Sequence, residues 1–176
     1  YNLPYVRSLM DLELGVKYLK VGYIKTKQKK YSPLCLNLIA KSYARWQQFK
    51  NRAITNYLKF VKLFPKNKKA GGSLVNAANL YLFMKNYNRS VEVYRLFLNK
   101  YPNHRLWQSA QRSIIKVSFV RAENEYKNKN YELSKKLLIN YIKSYPLDRN
   151  VPKGMFIMAD ILFKQKKYLK AIKQYE

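Results

Sequence analysis

The sequence predicts an all-α fold, a right-handed superhelical solenoid of stacked antiparallel helix hairpins. An aromatic phrase that ends in proline occurs three times, at Pro65, Pro102 and Pro146, with the prolines 37 and 44 residues apart. A period in this range is typical of helical hairpin repeats, which bury their apolar faces only against neighbours. Glycine is scarce, at 5 of 176 residues, which disfavours an all-β fold full of tight turns.

Residues 1–32 leave two interpretations open. Five apolar residues recur at helical spacing and predict one helix, perhaps one that closes an earlier repeat: Leu9, Leu12, Val16, Leu19 and Tyr23. Alternatively, residues 18–22 begin a hairpin that turns at Lys27–Lys30. We favour the single helix because the distance from Phe49 to Pro65 fixes the helix pair that follows.

The next stretch predicts two hairpins, over residues 33–66 and 71–103. Ser32-Pro33 is a suitable helix start, with serine as the N-cap and proline at the first helical position. The second hairpin is predicted to consist of a helix from residue 73 to about residue 85 and a helix over residues 89–100. Tyr101 should end it, because the residue before a proline avoids the α region.

The remaining stretch predicts a third hairpin at residues 104–148 and a truncated fourth at residues 152–176. The first helix of the third should begin near Leu106 and reach about Lys127. Its two added turns account for the spacing of 44 residues. Glu125 stands where the pattern of the other repeats has an aromatic side chain.

The second hairpin resembles the tetratricopeptide repeat, a helix-turn-helix unit. With Gly71 at position 1, the small residues at positions 8 and 20 are Ala78 and Ser90, and the proline at position 32 is Pro102. The aromatic positions 11, 17, 24 and 27 hold Tyr81, Tyr87, Tyr94 and Phe97. Small residues at 8 and 20 would let the two helices approach closely.

The phrase aromatic-Leu-x-x-Tyr-Pro is similar to repeats of bacterial cell-envelope adaptors, such as the outer-membrane assembly lipoprotein and the Tol–Pal coordinator. The resemblance covers about residues 33–176. It implies a non-catalytic scaffold in the periplasm or cell envelope, within a longer protein of an envelope machine such as a flagellar motor or secretion assembly. A cytoplasmic location is the alternative.

The charge predicts acidic partners. Lys and Arg total 36 against 9 Asp and Glu, a formal net charge of +27. Such a balance favours an acidic protein surface or an extended acidic peptide, with nucleic acid or an anionic membrane surface as the alternative. No apolar run is long enough to predict a transmembrane helix.

Candidate catalytic and metal-binding residues are few. His104 is the single histidine and is predicted to lie exposed in a turn, without a partner for acid–base work. Cys35 is the single cysteine, so no intramolecular disulfide forms, and we expect it to be buried. We therefore expect no enzyme activity, no metal and no cofactor.

The resemblance implies that the first helix of each hairpin lines a concave groove for partners. Lysine and arginine there would take carboxylates, and asparagine would pair with a peptide backbone. The predicted groove residues are Asn37, Lys41, Arg45, Asn76, Asn79, Phe83, Glu123, Lys127, Asp160 and Lys164.

A second predicted surface is a basic ridge formed by the turns within the hairpins, which project from one edge of a solenoid. Its residues are Lys27, Lys29, Lys30, Lys50, Arg52, Arg89, Lys129, Lys166 and Lys167. The opposite edge would carry Lys66, Lys68, Lys69, Arg105, Arg149 and Lys153. The alternative is an ordinary solvated surface in a chain that is rich in lysine.

Overall fold

Helices account for nearly all of the described chain, which comprises residues 3–25 and 31–175 of the computed structural model. Neither range contains a strand, so the all-α prediction is confirmed. The helices are α1 (Leu3–Lys25), α2 (Ser32–Ala44), α3 (Lys50–Leu63), α4 (Ala70–Phe83), α5 (Tyr87–Lys100), α6 (Trp107–Lys127), α7 (Tyr131–Ser144), α8 (Val151–Lys164) and α9 (Tyr168–Tyr175), with a 3₁₀ helix at Gln47–Phe49. Lys27, Lys29 and Lys30, and with them the alternative turn at Lys27–Lys30, lie outside the described residues.

The chain divides into two compact units, Tyr1–Trp107 and Gln108–Glu176. In the first unit, α1 packs on α2, α2 pairs with α3, α3 packs on α4, and α4 pairs with α5. In the second, α7 packs on α8 and α8 pairs with α9. Residues Leu3–Lys25 form one helix, and the choice between the two interpretations of residues 1–32 stays a prediction.

Paired helices approach closely because small side chains face each other. The Ser90 hydroxyl donates to the carbonyl oxygen of Ala78 at 2.9 Å, between α5 and α4. The Ser134 hydroxyl donates to the carbonyl of Ala122 at 2.8 Å, between α7 and α6. All four residues are fully buried. These bonds satisfy hydroxyl groups that would otherwise be buried without a partner.

The first helices of three hairpins end in the same way. Lys85, Lys129 and Lys166 follow α4, α6 and α8 with φ of 58°, 63° and 59°. Their N–H groups, and those of the residues after them, bond back to the last helical turn. This is the Schellman arrangement, in which glycine usually holds the left-handed position. Here lysine holds it, in a conformation that costs a side chain about 1 kcal/mol or more.

Each residue before the repeated prolines leaves the helical region, as predicted. Phe64, Tyr101 and Tyr145 have ψ of 57°, 61° and 58°. The Tyr101 hydroxyl also donates to the carbonyl of Pro65 at 2.8 Å, which links the ends of the first two hairpins. The proline phrase therefore ends one helix and contributes to stacking.

His104 is half-buried, so the expectation of an exposed turn histidine is wrong. Its ring lies edge-on to Phe97, with centroids 5.3 Å apart, and its Nδ1 accepts from the N–H of Leu106 at 3.1 Å. Gly71 makes room for it, because a Cβ there would lie 2.8 Å from His104 Cδ2. Cys35 is also only half-buried.

The core of the second unit joins α6, α7 and α8. Its buried residues are Phe119, Ala122, Leu138, Tyr141, Ile157 and Ile161. Tyr126 packs against this core, whereas Glu125 accepts a hydrogen bond from Asn130 at the surface. The aromatic that the pattern lacks at Glu125 is thus supplied by the next residue.

Candidate functional site

The first helices of successive hairpins lie side by side within each unit. In the first unit, the Asn37 amide on α2 donates to the Ser73 hydroxyl on α4 at 2.9 Å. In the second, Lys153 on α8 pairs with Glu123 on α6 at 2.8 Å. These bonds place α2 beside α4 in the first unit and α6 beside α8 in the second.

The surface of the first unit offers mixed chemistry. Lys41 and Arg45 are exposed on or just after α2, and Asn79 and Phe83 are exposed on α4. The Asn79 amide oxygen accepts from the Tyr94 hydroxyl, which leaves its NH₂ group to donate elsewhere. Arg45 also lines a cavity of about 790 Å³, together with Asp11, Leu12, Ser42, Trp46, Gln47 and Gln48.

The prediction needs correction for two groove asparagines, because their side chains hydrogen-bond to other residues of the chain. Asn37 is 2% exposed and bonded to Ser73, so a ligand cannot reach its side chain. Asn76 is half-buried and hydrogen-bonds the Tyr57 hydroxyl. Burial raises the pKa of Tyr57, and the bond to Asn76 acts in the opposite direction. Both asparagines satisfy buried polar groups.

Lys50 also departs from its prediction, since it folds back from the basic ridge. Its Nζ donates to the carbonyl of Ala44 at 2.7 Å and lies 4.9 Å from the ring centroid of Phe83. The ammonium thus satisfies a free carbonyl at the end of α2 and contacts an aromatic face. Lys50 accordingly connects the first hairpin to α4.

In the second unit, the predicted groove residues neutralise one another. Glu123 accepts from Lys153 at 2.8 Å and lies 3.6 Å from the Nζ of Lys127. The hydrogen bond from Lys153 is the main cause that lowers the pKa of Glu123, although burial opposes it. This carboxylate is therefore ionised at neutral pH and already paired.

Asp160 belongs to a second ion-paired cluster on the same two helices, α6 and α8. It pairs with Lys164 at 2.9 Å and accepts from the Tyr126 hydroxyl, to which Lys164 also donates at 2.7 Å. Burial raises the pKa of Asp160, but the bonds from Tyr126 and Lys164 outweigh it and the pKa is lowered. The bond to Tyr126, followed by the bond to Asp160, raises the pKa of the Lys164 ammonium.

A cleft of about 460 Å³ lies beside Glu123, between α6 and the loop that precedes α8. It is lined by Arg112, Ile115, Lys116, Phe119, Val120, Glu123, Asp148, Arg149 and Asn150. Arg112 lies among the residues by which α6 exceeds the other first helices, and Lys116 lies one turn further along α6. Sequence reasoning predicted the added turns but missed these two side chains. Their spacing of four residues, which places them on one helix face, was the available signal.

The two carboxylates that line the cleft already have hydrogen-bond or ion-pair partners within the chain. Asp148 accepts from the Tyr141 hydroxyl and from the backbone N–H of Asn150, the latter at 2.9 Å. The Tyr141 bond is the main cause that lowers the pKa of Asp148. Glu123 is paired with its two lysines. In contrast, the exposed side chains of Arg112 and Lys116 make no ion pair within 4.0 Å with any residue that the structure describes.

The remaining residues of the basic ridge differ in whether their charged groups contact other side chains. The Arg52 guanidinium lies over the rings of Phe49 and Tyr43, at 5.1 and 5.9 Å from their centroids. Arg89 pairs with Glu92 at 2.9 Å, and the Lys167 ammonium donates to Gln165. Lys129 and Lys166 are exposed at their turns. The ridge as a whole stays a prediction.

Within the described residues, no group of three or more His, Cys, Asp or Glu side chains could hold a metal ion. No described helix combines the length and apolar character needed to cross a membrane.

Residues 73–104, which cover most of α4 and α5, match the family described as tetratricopeptide repeat. A search of the curated proteins gave no match. Two solved structures are similar to the chain. The first comes from Podosopora anserina and is described as kinesin light chain with nearly identical TPR-like repeats. It is 11% identical to this chain, and the alignment covers 97% of this chain and 85% of the Podosopora anserina chain, with a TM-score of 0.45. The second, a tetratricopeptide repeat protein from Parabacteroides merdae, is 19% identical, covers 93% and 71%, and has a TM-score of 0.46.

Proposed function

We propose that this chain, one of whose hairpins matches the tetratricopeptide repeat, is a non-catalytic scaffold that binds protein partners. Such repeats generally mediate protein–protein interaction. The partner we propose presents an acidic surface or an extended acidic segment to the side-by-side first helices. A net charge of +27 favours such partners and accelerates their encounter with the chain.

The observation that carries the proposal is the set of exposed side chains along α2 and α4. Lys41 and Arg45 offer charged donors for carboxylates, and arginine can hold a carboxylate through two bonds. Asn79 offers an amide for a peptide backbone. Phe83, 58% exposed, offers an apolar surface of the kind that anchors protein interfaces.

We further propose that the scaffold belongs to a bacterial cell envelope, as part of a longer protein that supports an envelope machine. The resemblance of the aromatic-Leu-x-x-Tyr-Pro phrase to repeats of envelope adaptors supports this proposal. Fractionation of the source cells with an antibody against the chain tests it. Recovery in the periplasmic or membrane fraction is the expected result, and recovery in the cytosol would reject it.

The function is tested by pull-down from a native extract with nuclease treatment, at low and high salt. The test variant is Lys41→Glu with Arg45→Glu, on the proposed surface. The matched control is Lys62→Glu with Arg95→Glu, which changes the same charges on exposed positions of the second helices α3 and α5. Circular dichroism confirms that both variants fold.

A scaffold should retain one or two protein partners at high salt, and the surface variant should lose them while the control keeps them. Loss of all partners at high salt or after nuclease treatment would show that polyanion binding by net charge dominates, since such binding falls steeply with salt. Retention of the same partners by the surface variant would exclude α2 as their binding site.

A further inference from the structure

The geometry points to a second binding site, in the cleft of the second unit, for an extended acidic segment whose carboxylates alternate along the chain. The inference rests on the proposed scaffold function and assigns a partner chemistry to residues outside the predicted groove. Arg112, Lys116 and Arg149 are the residues that would hold the carboxylates. Arg112 lies in the added turns of α6, Lys116 lies one turn further along the same helix, and Arg149 lies in the loop before α8.

The charge of the cleft favours an anion because its acidic groups are already satisfied. Glu123 is paired with Lys153, and Asp148 is bonded to Tyr141 and Asn150. Among the described residues, Arg112 and Lys116 have no ion-pair partner within 4.0 Å. Exposed Arg149 stands beside Asp148, but no ion pair links them at that distance. A ligand carboxylate would therefore gain charged hydrogen bonds without displacing any that exist.

The spacing of the cations selects the form of the ligand. Side chains four residues apart on a helix have Cβ atoms about 5–6 Å apart. In an extended peptide, alternate side chains lie on one face and are about 6.6 Å apart. Carboxylates two residues apart in an extended segment thus match Arg112 and Lys116, whereas consecutive carboxylates would face opposite sides.

The walls of the cleft favour a peptide over nucleic acid. Partly buried Ile115 and Val120 offer an apolar surface next to the cations. Binding of a single strand commonly relies on exposed aromatic faces for base stacking. The aromatic side chain that lines this cleft, Phe119, is 5% exposed and packs against Tyr141. A volume of about 460 Å³ suits a few side chains.

The test measures fluorescence anisotropy of the full chain with a fluorescein-labelled peptide of alternating glutamate and serine. The test variant is Arg112→Glu with Lys116→Glu. The control, Lys136→Glu with Lys143→Glu, makes the same change in net charge on exposed positions of α7. A single Arg149→Glu variant probes the loop independently, so the test does not depend on the folding of one variant.

We expect the Arg112 and Lys116 variant to bind the peptide about tenfold or more weakly, and the control to lose less than about threefold. Arg149→Glu should also weaken binding more than the control does. Equal losses in test and control variants would overturn the site, because net charge would then explain the affinity. Tighter binding of an oligouridylate of equal charge, lost with the same variant, would overturn it in favour of nucleic acid.

Failure of this site and failure of the proposed scaffold function give different results. If the cleft variant retains the native partners in the pull-down and binds the peptide as the control does, the cleft is refuted and the scaffold stands. If no salt-resistant protein partner is captured by the unmodified chain, the scaffold function fails regardless of the peptide result.

Discussion

Replacement of Gly71 by alanine should destabilise the first unit, although alanine is the better helix former. Gly71 lies in the first turn of α4 and has a normal helical backbone, so the need for glycine comes from the close approach of neighbouring side chains. A Cβ would lie 2.8 Å from Cδ2 and 3.1 Å from Nε2 of His104, and 3.1 Å from Cε2 of Phe97. Contacts shorter than about 3 Å between such atoms require movement of the ring.

The ring of His104 cannot move without loss of its own contacts. Its Nδ1 accepts from the N–H of Leu106, and its edge-on packing against Phe97 fixes its plane. Overpacking of this kind costs about 1–3 kcal/mol. The gain in helix propensity is at most about 1 kcal/mol, and less in a first turn. We therefore expect a net loss of about 1–2 kcal/mol in the free energy of unfolding.

The neighbouring glycine provides a matched control. Gly72 lies in the same helical turn, and a Cβ there would have no atom within 4 Å. Gly72→Ala should therefore be neutral or stabilise by up to about 1 kcal/mol. Urea denaturation followed by circular dichroism measures both variants. A double variant with His104→Ala should recover part of the Gly71→Ala loss, because the two sites are coupled through contact.

Equal stability of Gly71→Ala and Gly72→Ala would refute the packing argument. So would a full loss in Gly71→Ala that persists unchanged in the His104→Ala background, because the clash would then not involve the histidine ring.

Two further predictions concern helix ends and acid. Lys129→Gly should raise the free energy of unfolding by about 0.5–1 kcal/mol, because glycine relieves the left-handed strain at φ 63°. The control, Lys136→Gly inside α7, should lower the free energy of unfolding by about 1 kcal/mol. Urea midpoints that shift in the same direction for both variants would contradict this account. Stability should also fall in acid: folding lowers the pKa of Glu123 and Asp160, so they stabilise the fold above their ordinary values of 4.5 and 3.8, and that contribution is lost as pH falls through the lower folded values. The unfolding temperature should differ less between pH 7 and pH 3 in the double variant Glu123→Gln with Asp160→Asn than in the unmodified chain. Glu92→Gln, which removes an exposed carboxylate, is the control. A double variant whose pH dependence is as large as that of the control would contradict this prediction.

The sequence predicted the helices well because their signals are local. The residue before each of the three repeated prolines leaves the helix for steric reasons that need no tertiary context, as at Tyr101 and Tyr145. The small positions Ala78 and Ser90 likewise mark where two helices must touch. Such features depend on neighbours within one hairpin.

The site was less predictable because it depends on which long side chains find partners. Asn37 and Lys41 lie four residues apart on α2, yet one bonds to Ser73 in the interior and the other is exposed. Lys50 reaches Ala44 and Phe83, a choice that turn position does not reveal. A periodic pattern assigns a helix face, whereas ion pairs and hydrogen bonds across hairpins depend on distances that only the packed helices define.

Apolar contacts between stacked hairpins tolerate a small slide of one helix along another, but a buried hydrogen bond does not. The amide of Asn37 can reach the hydroxyl of Ser73 in one register of α2 on α4, and a slip would leave the buried amide without this acceptor, while the Ser73 hydroxyl would still donate to the carbonyl of Lys69. The pair thereby sets the register of α2 against α4 in the first unit. It limits sliding of α2 along α4, so a segment bound to the proposed surface would meet Arg45 and Asn79 at a constant separation.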